Sequence, residues 1–97
     1  MKVYVPSPLR MYTGKSSTAQ AQGSTLAELF ADLERQFPGM RFRVIDEQDH
    51  IREHIKIFVN QELASDLAVR LRSDDTVRIS MALSGGQAPL ALIDLYT

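Results

Sequence analysis

TLAELFADLERQFPG, Thr25 to Gly39, is the stretch on which the reading of the fold turns. Thr25 stands three residues before Glu28, so its hydroxyl can accept from the Glu28 N–H while the Glu28 side chain reaches back to the Thr25 N–H, a capping box that starts a helix. Leu26, Leu29, Phe30, Leu33 and Phe37 then recur on one face, and Glu28, Asp32, Glu34 and Arg35 fall on the other. Pro38-Gly39 stops the run. An apolar stripe on one side of a single strong helix has to cover something, and the flanking sequence supplies a sheet.

Upstream, Lys2-Val3-Tyr4-Val5 alternates as a strand with Val3 and Val5 inward. Pro6 and Pro8 lack a backbone N–H, so this strand either lies at an edge or loses its pairing there. Tyr12 to Lys15 is a turn, and Ser16 to Ala21 returns as a second strand. Downstream, Met40 to Glu47 alternates Arg41 and Arg43 with Phe42 and Val44, and reads as either strand or irregular chain. Ile55, Ile57 and Val59 form the inner side of a strand whose outer side carries Lys56 and Phe58. Asn60-Gln61 turns it, Leu63 to Leu71 reads as a short helical connector, and Ser73 to Asp75 precedes a last strand, Thr76 to Ala82, with Val77, Ile79 and Met81 inward. Hairpin, helix, strand, connector, strand is the order of an α+β, ubiquitin-like β-grasp, a mixed sheet with one main amphipathic helix packed on one face.

The remainder bounds what such a domain does. Ninety-seven residues, 44% apolar and 24% charged, describe one small globular domain. No apolar run approaches the ~20 residues that span a bilayer, and Pro6 interrupts the N-terminal apolar stretch too early for an export signal. Residence in the cytoplasm, off the membrane, is expected. Eleven basic against twelve acidic residues give a net charge of −1, which provides no field for gathering nucleic acid. The chain has no cysteine.

Three stretches resemble the ubiquitin-like sulfur carrier proteins of the ThiS/MoaD type, which include the small subunit of molybdopterin synthase and the thiamine-pathway carrier. They are VPSPLRMYTGK (Val5 to Lys15), TLAELFADLERQFPGM (Thr25 to Met40), and IKIFVNQE (Ile55 to Glu62) followed by DDTVRISMALSGG (Asp74 to Gly86). The first looks most like the branch that serves cysteine biosynthesis. The likeness spans residues 1–86, the carrier domain with its Gly-Gly arm, and leaves 87–97 as an extension. It implies a protein with no active site and no bound cofactor. A ubiquitin-activating-type enzyme would use ATP to adenylate the carboxylate of Gly86, sulfur would replace AMP, and the thiocarboxylate would pass to a sulfur-accepting biosynthetic enzyme.

That chemistry suits the end of the sequence. A carboxylate becomes electrophilic only with a good leaving group, and the reaction has to occur inside a partner's site. Glycine has no Cβ, so Gly85 and Gly86 fit a narrow channel. The arm Ala82, Leu83, Ser84, Gly85, Gly86 reaches at most about 17 Å when extended. Here, however, Gln87 to Thr97 continue, and an amide-bonded Gly86 cannot be adenylated. Relatives encoded with such extensions are trimmed by a JAMM-type zinc protease, which implies cleavage between Gly86 and Gln87. The extension is read as a removable or mobile tail; the other reading is a short helix from Pro89, with Leu90, Ile93 and Leu95 or Tyr96 docked. A ubiquitin-like protein modifier and a non-conjugating interaction module are the alternative functions.

Other signals are weighed against plainer explanations. Phe58, with Lys56 and Arg78, suits a partner-docking patch on the open side of the sheet, unless the Leu63 to Leu71 connector folds over it. His50-Ile51-Arg52-Glu53-His54 spells an inverted zinc-protease motif, but it runs into a strand rather than along a helix and has no third histidine or cysteine, so no metal site is expected. Arg10, Arg41 and Arg43 read as solvated surface, and Asn60 and Asp74-Asp75 as turn residues.

Overall fold

The computed structural model describes residues 1–82. Its strands are β1 (Lys2–Tyr4), β2 (Thr18–Gln20), β3 (Ile55–Val59), β4 (Glu62–Leu63) and β5 (Thr76–Met81), and its helices are α1 (Leu26–Gln36) and α2 (Met40–Val44). The strands form one sheet in the order β2-β1-β5-β3-β4, with β1 and β5 parallel and the other neighbours antiparallel. This is the expected mixed sheet with one main helix.

The apolar stripe of α1 fixes the arrangement. Leu26, Leu29, Phe30 and Leu33 are fully buried against inward residues such as Val3, Ile57, Val77 and Ile79. Each such burial contributes roughly 1.5–3 kcal/mol, well above the ~1 kcal/mol of a helix cap. Burial therefore holds the helix on the sheet, and the cap sets where it begins. Thr25 Oγ1 accepts from the Glu28 N–H at 3.2 Å. The Glu28 carboxylate reaches one residue further out than expected, to the Ser24 N–H at 2.8 Å.

The segment from Leu63 to Leu71 is not the expected helical connector. Glu62 and Leu63 form β4, and the following chain runs beside the start of α1. Its carbonyls accept the helix's first-turn N–H groups, Leu26 to Val69 O (3.1 Å) and Ala27 to Leu67 O (3.0 Å), while the Leu71 N–H donates to Ser24 O (2.8 Å). A helix start leaves such donors without intrahelical partners, and an extended chain can present carbonyls to them that a helix would use internally. Leu67 and Leu71 are still buried.

Met40 to Val44 is a helix, where strand or irregular chain was expected. Met40 and Val44, four apart and both fully buried, set the period, and Phe42 points to solvent at 54% exposure. Gly39 enters α2 at φ 97°, a conformation that glycine adopts without strain. The Glu34 carboxylate accepts from the N–H groups of Gly39 (2.8 Å) and Arg41 (3.0 Å), tying the end of α1 to the start of α2.

β1 is central, and the proline constraint is met by its shortness. It pairs on both sides over Lys2–Tyr4, the Val5 N–H makes a last bond to Ser17 O at 2.9 Å, and Pro6 leads into a 3-10 turn, Ser7–Leu9. At the other end of the sheet, Asn60 has φ 59°. Its side chain accepts from the Thr76 N–H and donates to Asp75, both at 2.9 Å, so one residue closes the β3–β4 turn and fixes the start of β5.

Asn60→Ala removes both bonds and puts alanine in the left-handed region, a loss of about 2 kcal/mol. Thermal denaturation should show Tm lower by roughly 10 °C for a domain of this size, with a smaller drop for Asn60→Gly, which tolerates the backbone angle.

Three carboxylates give a pH dependence. Asp32 is held below its ordinary range by the Gln22 N–H and then by Arg35; Asp46 by the His50 N–H, with Gln48 N–H adding to it; Asp75 by the Arg72 N–H and then by Asn60. The folded state thus binds fewer protons than the unfolded chain. This stabilisation is complete above the ordinary value of 3.8 and is lost as pH falls through the lower folded values. Denaturant midpoints should drop between about pH 5 and about pH 2, and Asp75→Asn should make that drop shallower.

Candidate functional site

Two features of the sheet bear on function, the exit of β5 and the face that α1 leaves uncovered. β5 is held on both sides. Lys2–Tyr4 pair with Thr76–Arg78, and Ile55–Val59 pair with Met81–Val77. Beyond Arg78 the β1 side stops while the β3 side continues, and the last rung is the Ala82 N–H to His54 O at 2.9 Å. Ala82 itself is exposed. The chain therefore leaves the domain from a firmly seated central strand. Of the residues expected to act, Leu83, Ser84, Gly85, Gly86 and Gln87 lie outside the described residues.

On the open face, register aligns a row across five strands: Thr18, Tyr4, Arg78, Phe58 and Leu63. The Arg78 guanidinium carbon lies 4.4 Å from the centroid of the Tyr4 ring, and Lys2 Nζ lies 5.5 Å from it, both within cation–π range. Tyr4 and Phe58 are half-buried, Leu63 is 57% exposed, and a shallow cleft along the row is bordered by Asn60, Gln61 and Thr76 and by the one acid there, Glu62. Lys56 stands one rung toward the exit, opposite Ser80. The structure thus brings Phe58, Lys56 and Arg78 onto one face. The Leu63 to Leu71 segment does not fold over Phe58, because after β4 it crosses to the start of α1. Sequence reasoning missed Tyr4 and Leu63. Tyr4 was accessible from its parity opposite Val3 and Val5, whereas Leu63 depended on a strand hidden in the supposed connector.

The remaining candidates have structural tasks or stay apart. Arg10 Nε donates to Val5 O at 3.0 Å and holds the turn after β1. Arg41 pairs with Asp49 at 3.0 Å, and the Arg52 guanidinium lies 4.5 Å from the Phe42 ring centroid. His50 lies in a loop whose N–H secures Asp46, and His54 directly precedes β3. Among the described residues no three His, Cys, Asp or Glu side chains gather as they would around a metal ion, and no helix is long and apolar enough to cross a membrane.

A mixed sheet ordered β2-β1-β5-β3-β4, crossed by one main helix on a single face and ending in its central strand, defines the ubiquitin-like β-grasp class. The ThiS family pattern matches residues 3–86, and the chain belongs to that family. It is 33% identical over 89 residues to the sulfur carrier protein CysO of Mycobacterium tuberculosis strain H37Rv, covering 87% of this chain and 96% of the relative. The crystal structure of M. tuberculosis CysO superposes with a TM-score of 0.80 at 30% identity, over 84% of this chain and 98% of that one. The BexX/CysO complex of Amycolatopsis orientalis gives the same score and identity over 88% and 98%. SAMP1 of Haloferax volcanii, at 22% identity and a TM-score of 0.74 over 89% and 98%, shares the fold.

If Phe58 belongs to a surface rather than to the core, Phe58→Ser should cost less than half the stability lost in Ile57→Ala. For the fully buried Ile57 that loss is about 2–5 kcal/mol, and urea denaturation of the two variants compares them directly.

Proposed function

We propose that this chain is the precursor of a sulfur carrier. A JAMM-type zinc protease hydrolyses the Gly86–Gln87 peptide bond, consuming one water and leaving Gly86 with a free carboxylate. A ubiquitin-activating-type enzyme then uses ATP: the carboxylate attacks the α-phosphorus, pyrophosphate leaves, and Gly86 becomes an acyl-adenylate. Sulfide supplied in the partner's site attacks the acyl carbon and AMP leaves, giving the thiocarboxylate; its sulfur then forms a bond to a substrate on an acceptor enzyme in cysteine or other sulfur-metabolite biosynthesis, and hydrolysis of the acyl–sulfur bond returns Gly86 to a carboxylate. The chain is a co-substrate in these steps, and the catalytic groups are its partners'. The domain is thus 1–86, and 87–97 is the extension that is removed.

The observation that carries this reading is the reach of the family match. It stops at residue 86, the second glycine, and leaves Gln87 to Thr97 beyond it. Identity to CysO proteins favours the cysteine-linked branch. A CysO has been solved in complex with a protein called BexX, which supports function through a docked partner. On this chain the row of Tyr4, Arg78 and Phe58, with Lys56 beside it, offers aromatic and cationic groups for such docking. The central seating of β5 supports an arm that projects from a fixed origin at Ala82 into a partner's site.

The test uses the full chain and a chain ending at Gly86, each incubated with the cognate activating enzyme and ATP. The shorter chain is expected to support ATP–pyrophosphate exchange and, with a sulfur source, an oxygen-for-sulfur mass shift at its C-terminus. The full chain is expected to support neither until it has been trimmed. Exchange absent with the Gly86-ended chain, or heavier protein adducts in place of the sulfur shift, would refute the carrier assignment.

A further inference from the structure

Pro6 leaves β5 with an unfilled edge close to its exit. We propose that this edge, at Ile79–Met81, takes up an extended, carboxylate-bearing segment of the activating enzyme as an added strand. The identity of the partner rests on the proposed function, whereas the edge follows from the hydrogen bonding alone.

The Ala82 N–H donates to His54 O and the Asn60 N–H to Thr76 O, so the even-numbered residues of β5 turn their N–H and C=O groups toward β3. Val77, Ile79 and Met81 turn theirs toward β1. In the parallel pairing, with Tyr4 beside Arg78, the N–H due to meet Ile79 O is that of residue 6. Residue 6 is proline and has none. Pro6 O, the acceptor due for the Met81 N–H, is bonded instead to the Leu9 N–H at 2.9 Å in the 3-10 turn. Among the described residues, neither Ile79 O nor the Met81 N–H then has a partner on this side.

The β2 edge is treated differently. There the Ser16 hydroxyl meets both the Thr18 N–H (3.3 Å) and Thr18 O (2.7 Å), Gln36 Nε2 donates to Gln20 O (2.8 Å), and the Asp32 carboxylate accepts from the Gln22 N–H (2.9 Å). Side chains occupy the positions where an added strand would bond, one way in which a sheet edge is kept from pairing. Among the described residues, no side chain does this at Ile79–Met81.

The surroundings select the occupant. The concavity over this edge is lined by Ser7, Arg10, Ser17, Arg78 and Ser80, together with Tyr4, Val5, Pro6 and Ile79, and no acid lines it. Arg10 uses Nε on Val5 O, and its terminal Nη groups make no other bond among the described residues. No Asp or Glu occurs in residues 1–27. Glu62 borders the adjoining cleft, which shares Tyr4 and Arg78, from β4, and Glu53 precedes β3; both stand on the β3 side of β5. A carboxylate entering the concavity would thus meet two guanidiniums and three hydroxyls in charge-assisted bonds. Main-chain bonds to Ile79 O and from the Met81 N–H would hold the extended segment that carries it, as in strand addition generally.

Amide hydrogen exchange read by NMR tests this on an isotope-enriched chain ending at Gly86, which retains every described residue. In the free chain the Met81 amide is expected to exchange about ten-fold or more faster than that of Ser80, which faces β3, and to slow by about ten-fold or more when the activating enzyme is bound. Ser7→Glu and Ser17→Glu sit at exposed positions and leave the backbone bonds intact while putting an acid into the concavity. Each is expected to raise the Kd for the enzyme about five-fold or more, against less than about two-fold for Gln48→Glu in the loop before β3. A Met81 amide already protected in the free chain, one still unprotected in the complex, or equal effects of the three substitutions would overturn the proposal. ATP–pyrophosphate exchange is followed in parallel. If it proceeds while Met81 stays unprotected, the added strand is refuted and the carrier assignment stands; if it is absent, both fall.

Discussion

The parallel pairing of β1 with β5 is the constraint on which the rest of the structure depends. The two ends of the domain meet at the centre of the sheet, Val3 opposite Val77, with 73 residues between them in the chain. Everything in between has to be accommodated around that junction: β2 returns on one side, β3 and β4 on the other, and α1 crosses one face. A parallel pair cannot be joined by a tight turn, so the crossover must pass over a face, and here it covers one face only. The uncovered face and the central position of the last strand follow from the same topology. A domain built this way has a fixed exit and a flat surface beside it before any functional residue is considered.

The order of elements was legible because the signals that specify it are local. Thr25 and Glu28, the stripe from Leu26 to Leu33, and the alternations in Ile55–Val59 and Thr76–Met81 all read correctly from neighbours in sequence. The misreading of Leu63–Leu71 has its cause in long-range hydrogen bonding. The chain around Leu67 and Val69 has helix-compatible spacing of apolar residues, but its carbonyls are committed to the first turn of α1, some forty residues away in sequence. Nothing local in Leu63–Leu71 announces that commitment. Met40 to Val44 was ambiguous for another reason, since a helix of five residues is too short to show more than one repeat of its period, and the Arg–Phe–Arg alternation within it imitates a strand. Pro6 correctly marked where pairing on β1 ends, and the strand's central place could be known only from its partners.

The outer face was half legible. Parity within β3 and β5 put Lys56, Phe58 and Arg78 together, because side chains on a strand alternate sides and neighbouring strands stay in register. What parity could not supply was which strand lies next to which. Once β1 is placed beside β5, Tyr4 joins the row and stacks with Arg78. Once β4 is recognised, Leu63 extends the row past Phe58. A charged group held between aromatic positions has part of its desolvation already met by the ring faces, and its side-chain freedom is already reduced. A partner binding there loses less entropy in ordering Arg78 than it would with an isolated surface arginine.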